Sequence, residues 1–288
     1  MTLRSIEQDV AARLQACGIH NAAQEAVWIL QHVLALDRGA LFLRASQTLS
    51  PRDRAVLQQL VRRRCAGEPL QYLLGSAHFF GLDISVGPGV LIPRPETECL
   101  VEAALERYPG QGRVGDICTG SGAVALALAA HLPEATVVIA TDNSRRALDY
   151  AARNRAKNDA AHVHVILGDL FRPLRRGRLF SLITANPPYV DAKGSAELDA
   201  DVRRHEPHQA LFARESGISV IRQLISGARQ RLVPGGWFLC EFSPEQSEAV
   251  VNMGRDEGYS TIDILKDHAG RDRILAAQVP AGAGAKDA

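Results

Sequence analysis

Asn186-Pro187-Pro188-Tyr189 is the run in this chain whose residue types most narrow the chemistry they could do. Each proline fixes φ and removes a backbone donor, leaving carbonyls that can only accept. Pro187 also drives Asn186 out of helical geometry. The outcome is a stiff acceptor pair, the Asn186 side-chain oxygen and the Pro187 carbonyl. A nitrogen conjugated to a carbonyl or an aromatic ring is a poor nucleophile, because its lone pair is delocalised. Two acceptors on its N–H bonds stabilise the positive charge that develops as it attacks a sulfonium methyl. Removing one preorganised contact of this kind costs about 3 kcal/mol in barrier. Tyr189 can stack on the planar group and hold it in line with the methyl. No general base is needed in the rate-limiting step. The alternative is a proline-stiffened turn without chemistry.

A second constellation lies upstream, in Asp116-Ile117-Cys118-Thr119-Gly120-Ser121-Gly122, where a strand passes into a helix. Glycines let the backbone turn sharply and let a ligand approach without Cβ contact, and the open N–H groups of the helix start can hold a polar ligand. Asp142 closes the next strand, placed to accept both ribose hydroxyls of an adenosine. Gly120-Ser121-Gly122-Ala123-Val124-Ala125 also satisfies the GxGxxA fingerprint of nicotinamide enzymes. On its own, then, this turn fits a dinucleotide as well as S-adenosylmethionine, and a purely structural strand–helix turn stays open. Nicotinamide chemistry has no use for the Asn186 acceptor pair, so the two motifs together select S-adenosylmethionine.

These side chains need a frame. From Pro93 onward the pattern runs strand, helix, strand, helix: strands at 114–117, 136–140, 163–167 and 180–184, helices at 123–132, 145–157 and 218–232, then strands at 237–242, 261–265 and 274–279. Such alternation implies an α/β fold with a mostly parallel sheet covered on both faces. Ligands bind such sheets beyond the carboxyl ends of the strands, which sets Asn186 beside the glycine turn. The first 70 or so residues read as helices. Ile6, Val10 and Leu14 share one face, and Gly18 stops that helix. A second begins near Asn21 and carries Ala26, Leu30, Val33 and Leu34. Ser50-Pro51 starts a third, with Val56, Leu57, Leu60 and Val61 as its buried stripe. Arg62-Arg63-Arg64 in its last turn reads as a solvated end or a binding patch. From Phe79 to Ile92 alternation predicts a hairpin turned by Gly87-Pro88-Gly89, with Val90-Leu91-Ile92 running back. The boundaries are 1–75 for a helical domain, 76–92 for a linking hairpin, 93–280 for a catalytic domain and 281–288 for a disordered tail.

Composition bounds the partners. Formal net charge is +1, so nothing global points to nucleic acid or a membrane surface. No apolar run approaches the roughly 20 residues that span a bilayer, and the N-terminus lacks a secretory layout. Cys17, Cys65, Cys99, Cys118 and Cys240 are odd in number and scattered, which argues against a disulfide framework or a zinc knuckle and for a reducing cytoplasm. His162 and His164 share one strand face without carboxylate or cysteine partners. No metal is expected.

Beyond NPPY, four stretches resemble the release factor glutamine N5-methyltransferases, the PrmC or HemK family. They are Gly67-Glu68-Pro69-Leu70-Gln71-Tyr72-Leu73-Leu74-Gly75, Leu91-Ile92-Pro93-Arg94-Pro95-Glu96-Thr97-Glu98, Glu206-Pro207-His208-Gln209-Ala210-Leu211 and Lys266-Asp267-His268-Ala269-Gly270-Arg271-Asp272-Arg273. The resemblance runs from about residue 5 to 279. It implies a class I S-adenosylmethionine-dependent methyltransferase, Rossmann-like, with a mostly parallel seven-stranded sheet, a small N-terminal helical bundle and a linking β-hairpin. By resemblance, the turn Cys118, Thr119, Gly120, Ser121 and Gly122, with Asp116 before it, holds the methionine part of S-adenosyl-L-methionine. Asp142 holds the ribose, and Asp169 and Leu170 lie beside the adenine. Asn186, beside the cofactor, and Pro187 grip the substrate amide, while Pro188 and Tyr189 pack against it. The implied substrate is the glutamine of the Gly-Gly-Gln motif in class I peptide chain release factors, the implied product S-adenosyl-L-homocysteine, and the implied role a modulation of translation termination by a cytoplasmic monomer.

Two departures from the family pattern stand out. Cys118 occupies a position often held by glycine, and its side chain calls for a negative φ and a less open turn; it reads as a small buried filler. Glu241-Phe242-Ser243-Pro244-Glu245-Gln246 replaces a glycine-containing stretch and bears on local loop geometry. The connection Val190 to Ser216 is long for a structureless loop and reads as a lid over the release factor's loop, with Arg203, Arg204 and Glu206 near its rim. Adenine-N6 methylation of nucleic acid uses the same acceptor pair and predicts a basic groove. A non-catalytic release-factor scaffold is the third alternative.

Overall fold

The computed structural model describes residues 1–191, 200–213 and 217–281. Most of the tail expected to be disordered, 282–288, and parts of the long connection, 192–199 and 214–216, lie outside the described residues. The chain divides into two compact units: Met1–Ser76 together with the helix Ala200–His205, and the rest of the described chain from Ala77 onward.

The first unit is built on α1 (Leu3–Ala16), α2 (Ala22–Leu34), α3 (Arg38–Leu43), α4 (Pro51–Cys65) and α5 (Leu70–Leu74). Thr2 caps α1, which buries Leu3, Ile6, Val10 and Leu14. Ser50 caps α4 by accepting from the Asp53 N–H at 3.1 Å, with Pro51 in the first turn. Leu57, Leu60 and Val61 are buried as the spacing predicts, but Val56 is exposed, because it sits at the edge of the stripe. Two arginines of the triplet are paired. Arg63 makes a two-point contact with Glu68 at 2.7 and 2.5 Å, and Arg64 pairs with Glu25 at 2.7 Å and Asp201 at 2.9 Å. Cys17, just past α1, and Cys65, at the end of α4, form a disulfide with Cα atoms 5.4 Å apart. Their separation of 48 residues carries no sequence signal, so the expectation of unpaired cysteines fails for this pair.

The chain then enters β1 (Ser76–Phe79), of which all but Ser76 belongs to the second unit, and β2 (Leu82–Ser85), together a two-stranded hairpin. Its turn is Phe80-Gly81, both at positive φ (47° and 77°), and not Gly87-Pro88-Gly89. Paired positive φ values suit a tight hairpin, whose twist matches that of its strands. Val90-Leu91-Ile92 is no strand. The hairpin is tied down where Ser85 N–H donates to Asn154 Oδ1 at 2.7 Å and Asn154 Nδ2 returns a bond to Ser85 O at 3.0 Å.

The main body then alternates as expected: α6 (Glu98–Arg107), β3 (Arg113–Ile117), α7 (Ala123–His131), β4 (Val138–Asp142), α8 (Arg145–Lys157), β5 (Val163–Leu167) and β6 (Phe180–Ala185). After the short pieces β7 (Val190–Asp191), α9 (Ala200–His205), α10 (His208–Leu211) and β8 (Phe212–Ala213) come α11 (Ser219–Arg229), β9 (Leu232–Glu241), α12 (Ser247–Asp256), β10 (Thr261–Lys266) and β11 (Asp272–Gln278). Seven strands lie in the order β10-β11-β9-β6-β3-β4-β5. The pairs from β9 to β5 are parallel, while β11 runs antiparallel to both β9 and β10. This is the mostly parallel seven-stranded architecture expected of a class I methyltransferase. β6 is buried along its whole length, as a strand covered on both faces must be. From β3 the chain winds outward through β4 and β5, then crosses back to β6. That reversal opens a crevice beyond the ends of β3 and β6, where such sheets bind ligands.

Candidate active site

Parallel pairing of β3 with β6 puts Ile117 opposite Ala185. Cys118 and Asn186 therefore leave the sheet side by side, which brings the two sequence motifs together. A cavity of about 350 Å³ lies there. Its walls include Cys118, Gly120, Asp142, Asp169, Leu170, Asn186 and Pro188, together with Gly89 and Val90 from the connection after the hairpin. Of the other candidates, Asp116, Thr119, Ser121, Gly122, Pro187 and Tyr189 do not line it.

The glycine turn is left-handed at three places: Cys118 (φ 64°), Gly120 (57°) and Gly122 (83°). The expectation of a negative φ at Cys118 is thus overturned; the turn imposes the left-handed region and the cysteine accepts the strain, which costs roughly 1–2 kcal/mol in a residue with a Cβ. Burial and the nearby Asp142 carboxylate push the Cys118 thiol well up, so it stays a neutral thiol. A Cβ at Gly120 would meet nothing within 4 Å, whereas one at Gly122 would press on the Ala151 Cβ at 3.2 Å. Gly120 keeps the turn open, and Gly122 lets α7 pack against α8.

Asp116 acts beneath the turn. It is buried and accepts from Thr119 Oγ1 at 2.6 Å and Thr184 Oγ1 at 2.8 Å. Burial pushes its carboxyl up to about 6, against the pull of those two hydroxyls and the Ala125 N–H. It braces the turn from below through Thr119 and Thr184 and does not line the cavity. Asp142 lines the cavity. One of its oxygens accepts from Gly120 N–H at 2.8 Å and the other from Ser144 N–H at 2.8 Å. Burial raises its carboxyl and these amides oppose the rise. Each carboxylate oxygen keeps a further lone pair for a ligand hydroxyl.

The Asn186 side chain is held by Thr97 and Glu241, which lie in stretches quoted above but to which the sequence alone gives no role. Asn186 Nδ2 donates to Thr97 Oγ1 at 3.0 Å. Thr97 Oγ1 donates to Glu241 Oε2 at 2.8 Å, and the Tyr189 hydroxyl donates to Glu241 Oε1 at 2.8 Å. A carboxylate can only accept. Glu241 therefore draws the Thr97 proton, which leaves the Thr97 oxygen to receive the Asn186 NH₂. Among the described residues nothing donates to the Asn186 carbonyl oxygen, which is left as an acceptor. Burial raises the Glu241 carboxyl, while the Thr97 and Tyr189 hydroxyls and Arg273 pull it down. Burial and the Glu241 charge raise the Tyr189 phenol, which stays protonated.

Three of the stretches quoted for the resemblance, those carrying Thr97, Glu206 and Asp267, are tied to one another or to this relay. Glu206 is buried and accepts from Ile92 N–H at 3.1 Å and Arg94 Nη2 at 2.6 Å. It is an anchor for the segment that carries Thr97, and not the rim residue expected, because a buried carboxylate needs those partners. Asp267 accepts from Arg271 Nε at 3.0 Å, and Arg271 reaches Glu96 at 3.4 Å. The Glu241–Gln246 stretch forms a capped turn in which Ser243 and Gln246 exchange bonds, and Gln246 Nε2 donates to Tyr189 O at 3.0 Å. Parts of the connection after Tyr189, expected to form a lid, lie outside the described residues. Among the described residues the connection carries short helices, with α9 in the first unit and α10 in the second.

Comparison with known proteins gives consistent matches. Residues 6–75 match the PrmC N-terminal domain and residues 95–203 the methyltransferase small domain. The chain is 42% identical over 281 residues to the release factor glutamine methyltransferase of Moorella thermoacetica, covering 96% of this chain and 98% of that one. It is 39% identical over 278 residues to that of Geobacter sulfurreducens, covering 96% and 97%. Among solved structures, a methyltransferase from Pyrococcus furiosus superposes with TM-score 0.54 at 20% identity, over 80% of this chain and 100% of that one. The T. thermophilus 16S rRNA N2 G1207 methyltransferase, solved with AdoMet and guanosine, does so with TM-score 0.53 at 21% identity, over 71% and 49%. Both establish the fold alone.

Proposed function

The chain belongs to the release factor glutamine methyltransferase family, and we propose that its substrate atom is the N5 side-chain amide nitrogen of the glutamine in the Gly-Gly-Gln motif of class I peptide chain release factors, methylated from S-adenosylmethionine. The observation that carries this reading is the Asn186–Thr97–Glu241 relay, which leaves the Asn186 oxygen as a fixed acceptor on the cavity wall.

The cavity suits the cofactor chemically. The open backbone at Gly120, the accepting carboxylate of Asp142 and the apolar Leu170 fit an amino acid end, a ribose and an adenine respectively. S-adenosylmethionine supplies an electrophilic sulfonium methyl when bound. The chain's own residues act on the glutamine amide. Asn186 Oδ1 and the Pro187 carbonyl accept its two N–H bonds, which orients the nitrogen and stabilises the positive charge it gains. Tyr189, locked by Glu241 and by Gln246, restricts the amide plane to an in-line approach. One amide proton leaves to solvent after the new bond forms.

The test is transfer of label from methyl-labelled S-adenosylmethionine to a release factor, to the same factor with its motif glutamine changed to glutamate, and to an adenine-containing oligonucleotide. Label in the unaltered factor alone supports the reading. Label in the oligonucleotide alone, or undiminished label in the altered factor, overturns it.

A further inference from the structure

Away from the cavity, α6 and the loop between β10 and β11 bring three metal-ligating side chains together. Cys99 and Glu102 lie three residues apart on α6, one turn along the same face. His268 comes from the loop. One donor atom from each, the Cys99 sulfur, a Glu102 oxygen and a His268 ring nitrogen, all lie within 4.8 Å of one another. The Glu102 oxygen and His268 Nε2 are 3.8 Å apart. Cys99 is buried at the base while Glu102 and His268 are exposed at the mouth. We propose that Cys99, Glu102 and His268 form a binding site for a thiophilic divalent cation, zinc in the first instance, with water in the fourth position.

The donor set is the argument. A thiolate, an imidazole and a carboxylate are the three side-chain types zinc takes, and three of them with one open position make a tetrahedral site. Two anionic donors and one neutral one balance a double positive charge. Asp267 is committed to Arg271, Arg273 and two backbone amides, so the set is these three. As a simple ion pair, His268 and Glu102 at 3.8 Å on an exposed surface would contribute almost nothing. Cys99 and Glu102 are close in sequence, but His268 comes from a loop far along the chain, so the expectation of no metal had no spacing by which to detect the third ligand.

The test uses the reduced full-length protein titrated with Co²⁺, read by the sulfur-to-cobalt charge-transfer band and the visible ligand-field bands, then with Zn²⁺ by calorimetry. Expected is saturation at one equivalent with a single-thiolate band. A Cys17→Ser, Cys65→Ser background should retain it. Cys99→Ser should abolish the band, and Glu102→Gln and His268→Ala should each weaken Zn²⁺ binding by at least the roughly tenfold that even an outer contact contributes. If Cys99→Ser does not fold, the two exposed positions carry the test, since neither is part of the core. Absence of a band in the wild-type protein overturns the proposal. So does a band undiminished by Cys99→Ser, or Zn²⁺ affinity unchanged in both Glu102→Gln and His268→Ala.

Discussion

Thr97 Oγ1 accepts from Asn186 Nδ2 at 3.0 Å while it donates to Glu241 Oε2 at 2.8 Å. The direction of the second bond fixes the direction of the first. A buried carboxylate on one strand thus decides which end of an asparagine amide, 55 residues back along the chain, is left as an acceptor beside the cavity.

The first prediction is that Thr97→Val lowers kcat for release factor methylation by about tenfold to a hundredfold, in line with losing a hydrogen bond to a charged group and leaving it unpaired. Cofactor Kd should stay within a few-fold, because Thr97 does not line the cavity. Thr97→Ser keeps the hydroxyl and should recover most of the rate. Steady-state kinetics with calorimetry for the cofactor measures both. Equal losses in cofactor binding and kcat would point to collapse of the site instead.

Asn186→Ala should abolish transfer while the cofactor still binds within a few-fold. In that background Thr97→Val should cost nothing more, since Thr97 acts through Asn186; coupled groups are non-additive in this way. A double-mutant cycle in kcat/KM gives the answer, and additive losses would contradict the relay.

The relay also marks where the sequence stops being informative. Contiguous motifs were legible because a strand-to-helix glycine turn and a strand followed by two prolines are local devices, and β3–β6 pairing then makes them neighbours. Thr97 and Glu241 are 144 residues apart, and neither stands in a pattern that announces a hydrogen bond. Periodicity found α1 and α4, but α3 and α5 have six and five residues, too few to show a helical period. Alternation found the hairpin strand at Leu82–Ser85 and misplaced its turn, because Phe80 takes a φ of 47° that residue preferences assign to glycine or asparagine. Glu206 reads from sequence as a rim residue because its partners Ile92 and Arg94 come from a distant segment.

Asp116 makes stability depend on pH. Its carboxyl is held at about 6 in the folded chain against an ordinary 3.8. Between those values the folded state binds the proton that the unfolded state has released, so stability falls as pH rises through the window. The penalty is complete above about pH 6 and absent below about pH 4. About two pKa units correspond to something on the order of 3 kcal/mol. Asp116→Asn removes the titration. The stability difference between wild type and variant, from urea unfolding, should therefore shift toward the wild type on going from about pH 7.5 to about pH 4.5. A difference that is flat, or that moves the other way, is inconsistent with a raised Asp116.

At Cys118 the φ of 64° favours a residue without a Cβ. Cys118→Gly should be more stable than Cys118→Ala by about 1 kcal/mol, since the two differ only in the Cβ that this conformation penalises. Thermal melting of the two variants side by side measures it. Alanine equal to glycine would mean that the turn relaxes to a negative φ.

Gly217 offers the sharpest structural test of the Tyr189 backbone. Its φ is 81°, and a Cβ there would fall inside contact distance of the Tyr189 carbonyl oxygen and 2.6 Å from Gln246 Nε2. Gly258 has a similar φ of 76°, but a Cβ there meets nothing within 4 Å. The two glycines therefore separate the backbone penalty from the collision. Gly258→Ala should cost about 1 kcal/mol of stability from its left-handed φ alone and leave methyl transfer intact. Gly217→Ala carries the same penalty and must also move Tyr189 or break the Gln246–Tyr189 bond at 3.0 Å. Since Tyr189 and Asn186 are bonded to the same Thr97–Glu241 pair, that displacement reaches the acceptor on the cavity wall. Transfer should fall by more than tenfold, the order expected when a reacting group is misplaced, at a temperature where the protein is still folded. Activity and circular dichroism recorded together on both variants decide the matter. A Gly217→Ala protein that loses stability only as Gly258→Ala does, and turns over normally, would show that the Tyr189 backbone is free to yield.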